Sequence, residues 1–135
     1  MSTTTATKTP RTLIAAGTSV AAGTPNRAAV DLRTTFGGLL TVKLTNGGTG
    51  PTVQAVAYVM VAHDSGTLPA TGAAGTTWKT IATLGGGGTT ASAVTELAYE
   101  VPQGVMHLQV EISGNTGQAV TAEAFLSEAT SISTA

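Results

Sequence analysis

Val101–Glu128 reads VPQGVMHLQVEISGNTGQAVTAEAFLSE, and this stretch decides the fold class. Pro102 and Gly104 open it with a turn. Met106, Leu108, Val110 and Ile112 then alternate with His107, Gln109 and Glu111. Successive strand side chains point to opposite faces, so this period of two predicts a strand over Val105–Ser113 with His107, Gln109 and Glu111 facing outward. Gly114–Asn115–Thr116–Gly117 is built from residues that reach positive φ at little cost, which predicts a hairpin turn. The strand after it places Val120, Ala122, Ala124 and Leu126 on one face, and Ala119, Thr121, Glu123 and Phe125 on the other.

The same alternation extends back through the chain. Leu97, Tyr99 and Val101 are expected inward against Glu96, Ala98 and Glu100, and Trp78, Thr80, Ala82 and Leu84 form a further strand face. Leu40, Val42 and Leu44 alternate with Thr41, Lys43 and Thr45, while Ala28, Val30, Leu32, Thr34 and Phe36 are expected to share one face. Arg11–Ala16 can form a short first strand. Thr52–Asp64 differs, because both of its faces are apolar or small, so it must be covered twice, by its own domain or by a partner. Turns fall at Asn46–Pro51, in the long loop 65–75 and at Gly85–Gly88, the last expected as a flexible tip. About eight strands at this spacing predict an all-β, single-domain β-sandwich of jelly-roll type with antiparallel strands; a closed helix-free barrel is the alternative. The domain is expected over residues 12–128, with a flexible N-terminal arm at 1–11 and a C-terminal tail at 129–135.

Composition narrows the function. The chain has 135 residues, 41% of them hydrophobic and only 10% charged, with net charge −1 and no cysteine. About 22 alanines and about 27 threonines dominate it. A disulfide scaffold, a zinc–thiolate site, a helical bundle and a strongly basic nucleic-acid binder are excluded on these grounds. Leu13–Ala16 is too short an apolar run for a signal peptide, and no stretch approaches the length of a membrane-spanning helix. All six basic residues (Lys8, Arg11, Arg27, Arg33, Lys43, Lys79) precede residue 80, and Glu96, Glu100, Glu111, Glu123 and Glu128 follow it with no Lys or Arg. Either the strands interleave and mix the signs, or two faces of opposite sign orient subunits against one another.

Catalytic patterns are sparse. His63, Asp64 and Ser65 are adjacent, but neighbouring strand residues point to opposite faces, and no G-x-S-x-G elbow surrounds the serine. His107 is expected as a surface histidine. Glu96 and Glu100 share a face, yet four residues of strand put them about 13 Å apart, beyond the roughly 5–9.5 Å of glycosidase carboxylate pairs. Gly85–Gly88 lacks the G-K-[ST] of a phosphate loop. No catalytic residue, cofactor site or metal site is therefore expected, and the chain is read as not an enzyme. A surface of few charges and much Thr, Ala and Gly suits extensive contact with other protein.

The segments Thr76–Gly88 (TTWKTIATLGGGG) and Val101–Glu128 resemble small virion proteins of tailed bacteriophages, particularly capsid decoration (cement) proteins of β-sandwich or jelly-roll fold. The resemblance lies in a Thr/Ala/Gly-rich, cysteine-free style with a strand–G-N-T-G–strand hairpin, over the C-terminal half. It implies a homo-oligomer, dimer or trimer, made in the host cytoplasm and bound to the major capsid protein on the exterior of the virion. It implies no nucleic-acid or membrane partner. Contacts are expected from the arm and the long loops: Lys8, Arg11, Leu68 and Trp78. The alternatives are another phage component (tail, neck or fibre) or a glycan-binding β-sandwich, for which Trp78 would be the exposed aromatic, although a core role suits a lone Trp better.

Overall fold

The computed structural model describes residues 3–63 and 66–134. Eight strands run in chain order: β1 (Thr4–Val20), β2 (Asn26–Asp31), β3 (Gly38–Asn46), β4 (Val56–Ala62), β5 (Lys79–Gly85), β6 (Val94–Val101), β7 (His107–Ser113) and β8 (Val120–Thr134). They form two four-stranded sheets, β1-β8-β3-β6 and β2-β7-β4-β5, with every ladder antiparallel. The jelly-roll expectation holds.

The topology is one long hairpin rolled up. Strand β4 pairs β5, β3 pairs β6, β2 pairs β7 and β1 pairs β8, so each early strand meets its mirror position late in the chain. Rolling then brings β3 beside β8 and β4 beside β7, which splits the hairpin into two layers. The core lies between them. Leu40, Val42 and Leu44 of β3 and Ala122, Ala124 and Leu126 of β8 face Val59 of β4 and Leu108, Val110 and Ile112 of β7, all buried.

Three sequence expectations change. First, residues from Thr4 onward are not a flexible arm: they belong to a 17-residue β1, and Ala129–Thr134 continue β8 against them. Met1, Ser2 and Ala135 lie outside the described residues. Ladder pairing lets two Thr/Ser-rich segments satisfy each other's backbone, which a reading of isolated termini cannot see. Second, β2 stops at Asp31, and Phe36 turns outward. The Thr35 N–H donates to the Leu32 carbonyl at 3.2 Å, and Gly37 takes φ +80 where a side chain would sit 2.6 Å from the Val101 carbonyl oxygen. Third, the strand read over Thr52–Asp64 is ordered as β4 only from Val56; Val53 makes a single bridge to Thr116.

Candidate functional site

Much of the outer face of β2-β7-β4-β5 is covered by the chain itself, although Ile81 of β5 stays exposed. Residues 66–78 fold back over it as a strap, and the Gln109 carboxamide of β7 fastens them: Gly72 N–H donates to Oε1 at 3.0 Å, and Nε2 donates to the Gly72 carbonyl at 2.7 Å. This reciprocal pair imitates one rung of a ladder. Trp78 anchors the strap's C-terminal end. Its indole packs on Met60 and Ala62, is 2% exposed, and donates from Nε1 to the Ala70 carbonyl at 2.9 Å. The two apolar faces of β4 are thus both covered from within the domain. His107, Gln109 and Glu111, expected on an open surface, are all buried. Alternation assigns these three residues to the face opposite Leu108, Val110 and Ile112 but does not say what lies over it, and it misplaces Trp78, expected beside Ala82 and Leu84 but packed in the cluster of Met60 and Ala62. Trp78 consequently presents no surface to a partner or a sugar.

Ion pairs consume most of the charge. Arg27 Nε lies 2.5 Å from Glu111 Oε1, Arg11 Nη2 lies 3.1 Å from Glu128 Oε2, and Lys43 Nζ lies 3.6 Å from Glu123 Oε1. Each joins a cation of the first half to a carboxylate of the second. The rolled hairpin causes this, since its β2–β7 ladder registers Arg27 on Glu111 and the β3–β8 pairing made by rolling registers Lys43 on Glu123. Segregation along the chain therefore becomes mixing in space, and no two faces of opposite sign arise from these pairs. Arg33 pairs locally with Asp31 at 2.6 Å. The Asp31 carboxyl is held down to about 2, chiefly by the hydrogen bond from the Arg33 side chain; His107 Nδ1 lies 3.6 Å away. Glu128 is 1% exposed, and its Oε1 has no hydrogen-bond partner among the described residues, so Arg11 is its principal compensation.

Among the described residues, none forms a strap over the outer face of β1-β8-β3-β6. An open groove of about 530 Å³ runs over Thr41, Lys43, Glu96, Ala98, Glu123 and Phe125, and Phe125 is 37% exposed. A second groove, about 590 Å³, lies beside Lys8, Phe36, Leu39, Glu100, Pro102 and Ser127. Phe36 and Leu39 are exposed. Among the described residues, Glu96 and Glu100 have no cation within ion-pair distance.

The four sequence candidates do not converge. Lys8 borders the second groove, Arg11 is tied to Glu128, Leu68 is exposed on the strap over the other sheet, and Trp78 is interior. Of the His63–Asp64–Ser65 run, Asp64 and Ser65 lie outside the described residues. Among those residues, no three His, Asp or Glu groups come together as metal ligands, and no helix is long and apolar enough to cross a membrane. The glycine tip is fastened rather than flexible: Gly88 N–H donates to Gln54 Oε1 at 3.0 Å, and Asn46 Nδ2 donates to the Gly88 and Thr90 carbonyls. Gly86 approaches so closely that a side chain there would meet the Ala55 carbonyl oxygen at 2.8 Å. Sequence reasoning missed Gln109, Asn46 and Gln54. The available signal was the length of the β4–β5 connection, since a long loop without secondary structure in a compact domain usually packs on something.

Comparison with known proteins gives the fold and little more. No protein-family model matches the chain, and no curated protein matches it by sequence. A chain of the T13 IBDV viral particle is similar in structure, with TM-score 0.51 and 14% identity over 94% of this chain and 34% of that one. The Yersinia pseudotuberculosis-derived mitogen follows at TM-score 0.49 and 12% identity, covering 92% of this chain and 86% of that one. The SPBc2 prophage-derived protein YomS gives TM-score 0.43 and 14% identity, covering 90% and 93%. The chain is an all-β sandwich of eight antiparallel strands, and its structural neighbours include viral and phage-derived proteins.

Proposed function

We propose that this chain is a structural virion protein of the capsid-decoration kind, a non-enzymatic homo-oligomer that binds the major capsid protein on the exterior of a phage head and stabilises the shell. The observation that carries the reading is the contrast between its faces. One is largely covered by the chain's own strap, with Leu68 and Ile81 still exposed there; the other keeps Phe36, Leu39 and Phe125 exposed beside grooves and, among the described residues, leaves Glu96 and Glu100 beyond ion-pair distance of a cation. Apolar side chains beside unmatched charge suit a protein partner, which would bury the first and pair the second. The phage-like style of Thr76–Gly88 and Val101–Glu128 selects a virion among such partners. The jelly roll is compatible with this role, because capsid and lectin domains both use it.

Co-sedimentation with heads lacking this protein tests the reading. Purified chain is expected to pellet with such heads and to raise their resistance to heat. Binding to tails or fibres but not heads would move it to another virion component, and binding to neither would overturn the proposal.

A further inference from the structure

The β1–β8 ladder continues past the sandwich. Strand β3 stops at Gly38, opposite Glu128, and Phe36 and Gly37 exchange backbone hydrogen bonds with Ala129. Beyond them Thr4–Thr7 pair Ser131–Thr134 as a two-stranded ribbon, with no third strand among the described residues. A ribbon of this kind is marginal in water by itself, and its free edge offers a row of backbone donors and acceptors.

The edges of this fold are unequally defended. The β6 edge carries Glu96 and Glu100; β5 has Lys79 and a bulge opposite Val59/Met60; β2 is six residues long with Arg27 and Asp31. The β1 edge has Lys8, Pro10, Arg11 and two register shifts at which β1 carries the extra residues. Charges, proline, bulges and shortness all obstruct edge pairing. The β8 edge from Thr130 to Thr134 carries no charge, proline or glycine; its one irregularity is Thr130, which the β1 register skips, and Ile132 stands 48% exposed beyond it.

The sequence of that edge is a palindrome: Thr130-Ser131-Ile132-Ser133-Thr134, flanked by Ala129 and Ala135. In an antiparallel pair of two identical strands related by a two-fold axis, a palindrome meets itself residue for residue. Centred on Ile132, it sets Ile132 opposite Ile132 and Ser131 opposite Ser133, with the irregular Thr130 of each copy meeting Thr134 at the two ends. Such a pairing matches an apolar residue with an apolar one and hydroxyl with hydroxyl, and opposes no like charges.

We propose that the Thr130–Thr134 edge is a dimer interface, at which β8 of a second copy adds antiparallel about a two-fold axis through Ile132 and turns two ribbons into one four-stranded sheet. The proposal rests on the self-association part of the function proposed above and on nothing about the capsid. Five residue pairs bury less than a standard interface, so the dimer dissociates on dilution.

The full chain tests this by light scattering and crosslinking. Mass is expected to rise from one chain to two as concentration approaches about 1 mM. Ile132→Lys and Ile132→Glu, at an exposed position that leaves the sandwich intact, each weaken the dimer about tenfold or more; mixing the two restores it as a heterodimer. Because the chain has no cysteine, Ile132→Cys should crosslink to itself on mild oxidation. Ser131→Cys should crosslink to Ser133→Cys but not to itself, since opposed residues alone come within disulfide reach. A dimer that ignores Ile132→Lys and does not crosslink through residue 132 overturns this interface while leaving self-association standing. A trimer overturns the two-fold arrangement, and a chain that stays single throughout overturns both.

Discussion

The two outer sheet faces of this molecule start from similar strands and end differently. On β2-β7-β4-β5 residues 66–78 lie down over the sheet, and Trp78, Met60, Gln109 and His107 are interior. On β1-β8-β3-β6 nothing in the described chain does the same, so Thr41, Lys43, Glu96 and Phe125 line an open groove. One face therefore contributes to stability and the other is available for binding. Substitutions on the two should separate cleanly into those that unfold the protein and those that leave it folded but unattached.

Trp78→Ala should show the largest effect. It removes a buried indole and its hydrogen bond to Ala70, which costs about 3–5 kcal/mol, read as a lower urea midpoint. A loss under about 1 kcal/mol would mean that the strap does not rest on the sheet. Arg11→Met comes next. It leaves the buried Glu128 carboxylate without its cation and is expected to cost about 2–3 kcal/mol, at the low end for a broken buried pair because Arg11 itself is half exposed. Stability of Arg11→Met/Glu128→Gln should exceed that of Arg11→Met alone.

Gln109→Leu should cost about 1–3 kcal/mol by stranding the Gly72 N–H and carbonyl, and hydrogen exchange at Gly72 should accelerate with it. On the open face, Phe125→Ser and Lys43→Ala should each change stability by no more than about 0.5 kcal/mol. Both should nevertheless lower occupancy on phage heads; unchanged occupancy would remove this face from the proposed interface. The smallest effect belongs to Asp31. Its folded pKa of about 2 lies below the ordinary value of 3.8, so its contribution is complete above 3.8 and disappears as pH falls through about 2. Asp31→Asn should flatten the acid limb of the stability–pH curve in that window and leave neutral pH nearly unchanged in slope.

The hidden status of His107, Gln109 and Glu111 shows where sequence reading stops. Their alternation with Leu108, Val110 and Ile112 was legible, and so was the strand. What lay over them was not, because a strap between two strands leaves no periodic mark. The charges show the same limit from the other side. Arg27 and Glu111 stand 84 positions apart, and only the β2–β7 ladder makes them neighbours. Likewise the terminal segments read as arm and tail, since the value of each as a strand exists only beside the other.

The amino-acid sequence by itself determined that this is a β-sandwich of about eight strands, because side-chain alternation and turn chemistry are local properties that act within a few residues. Which face is largely covered, which charges meet and which edge stays free were decided by the rolled hairpin. Those outcomes depend on contacts between distant segments, and backbone pairing joins such segments in a register that no single segment contains.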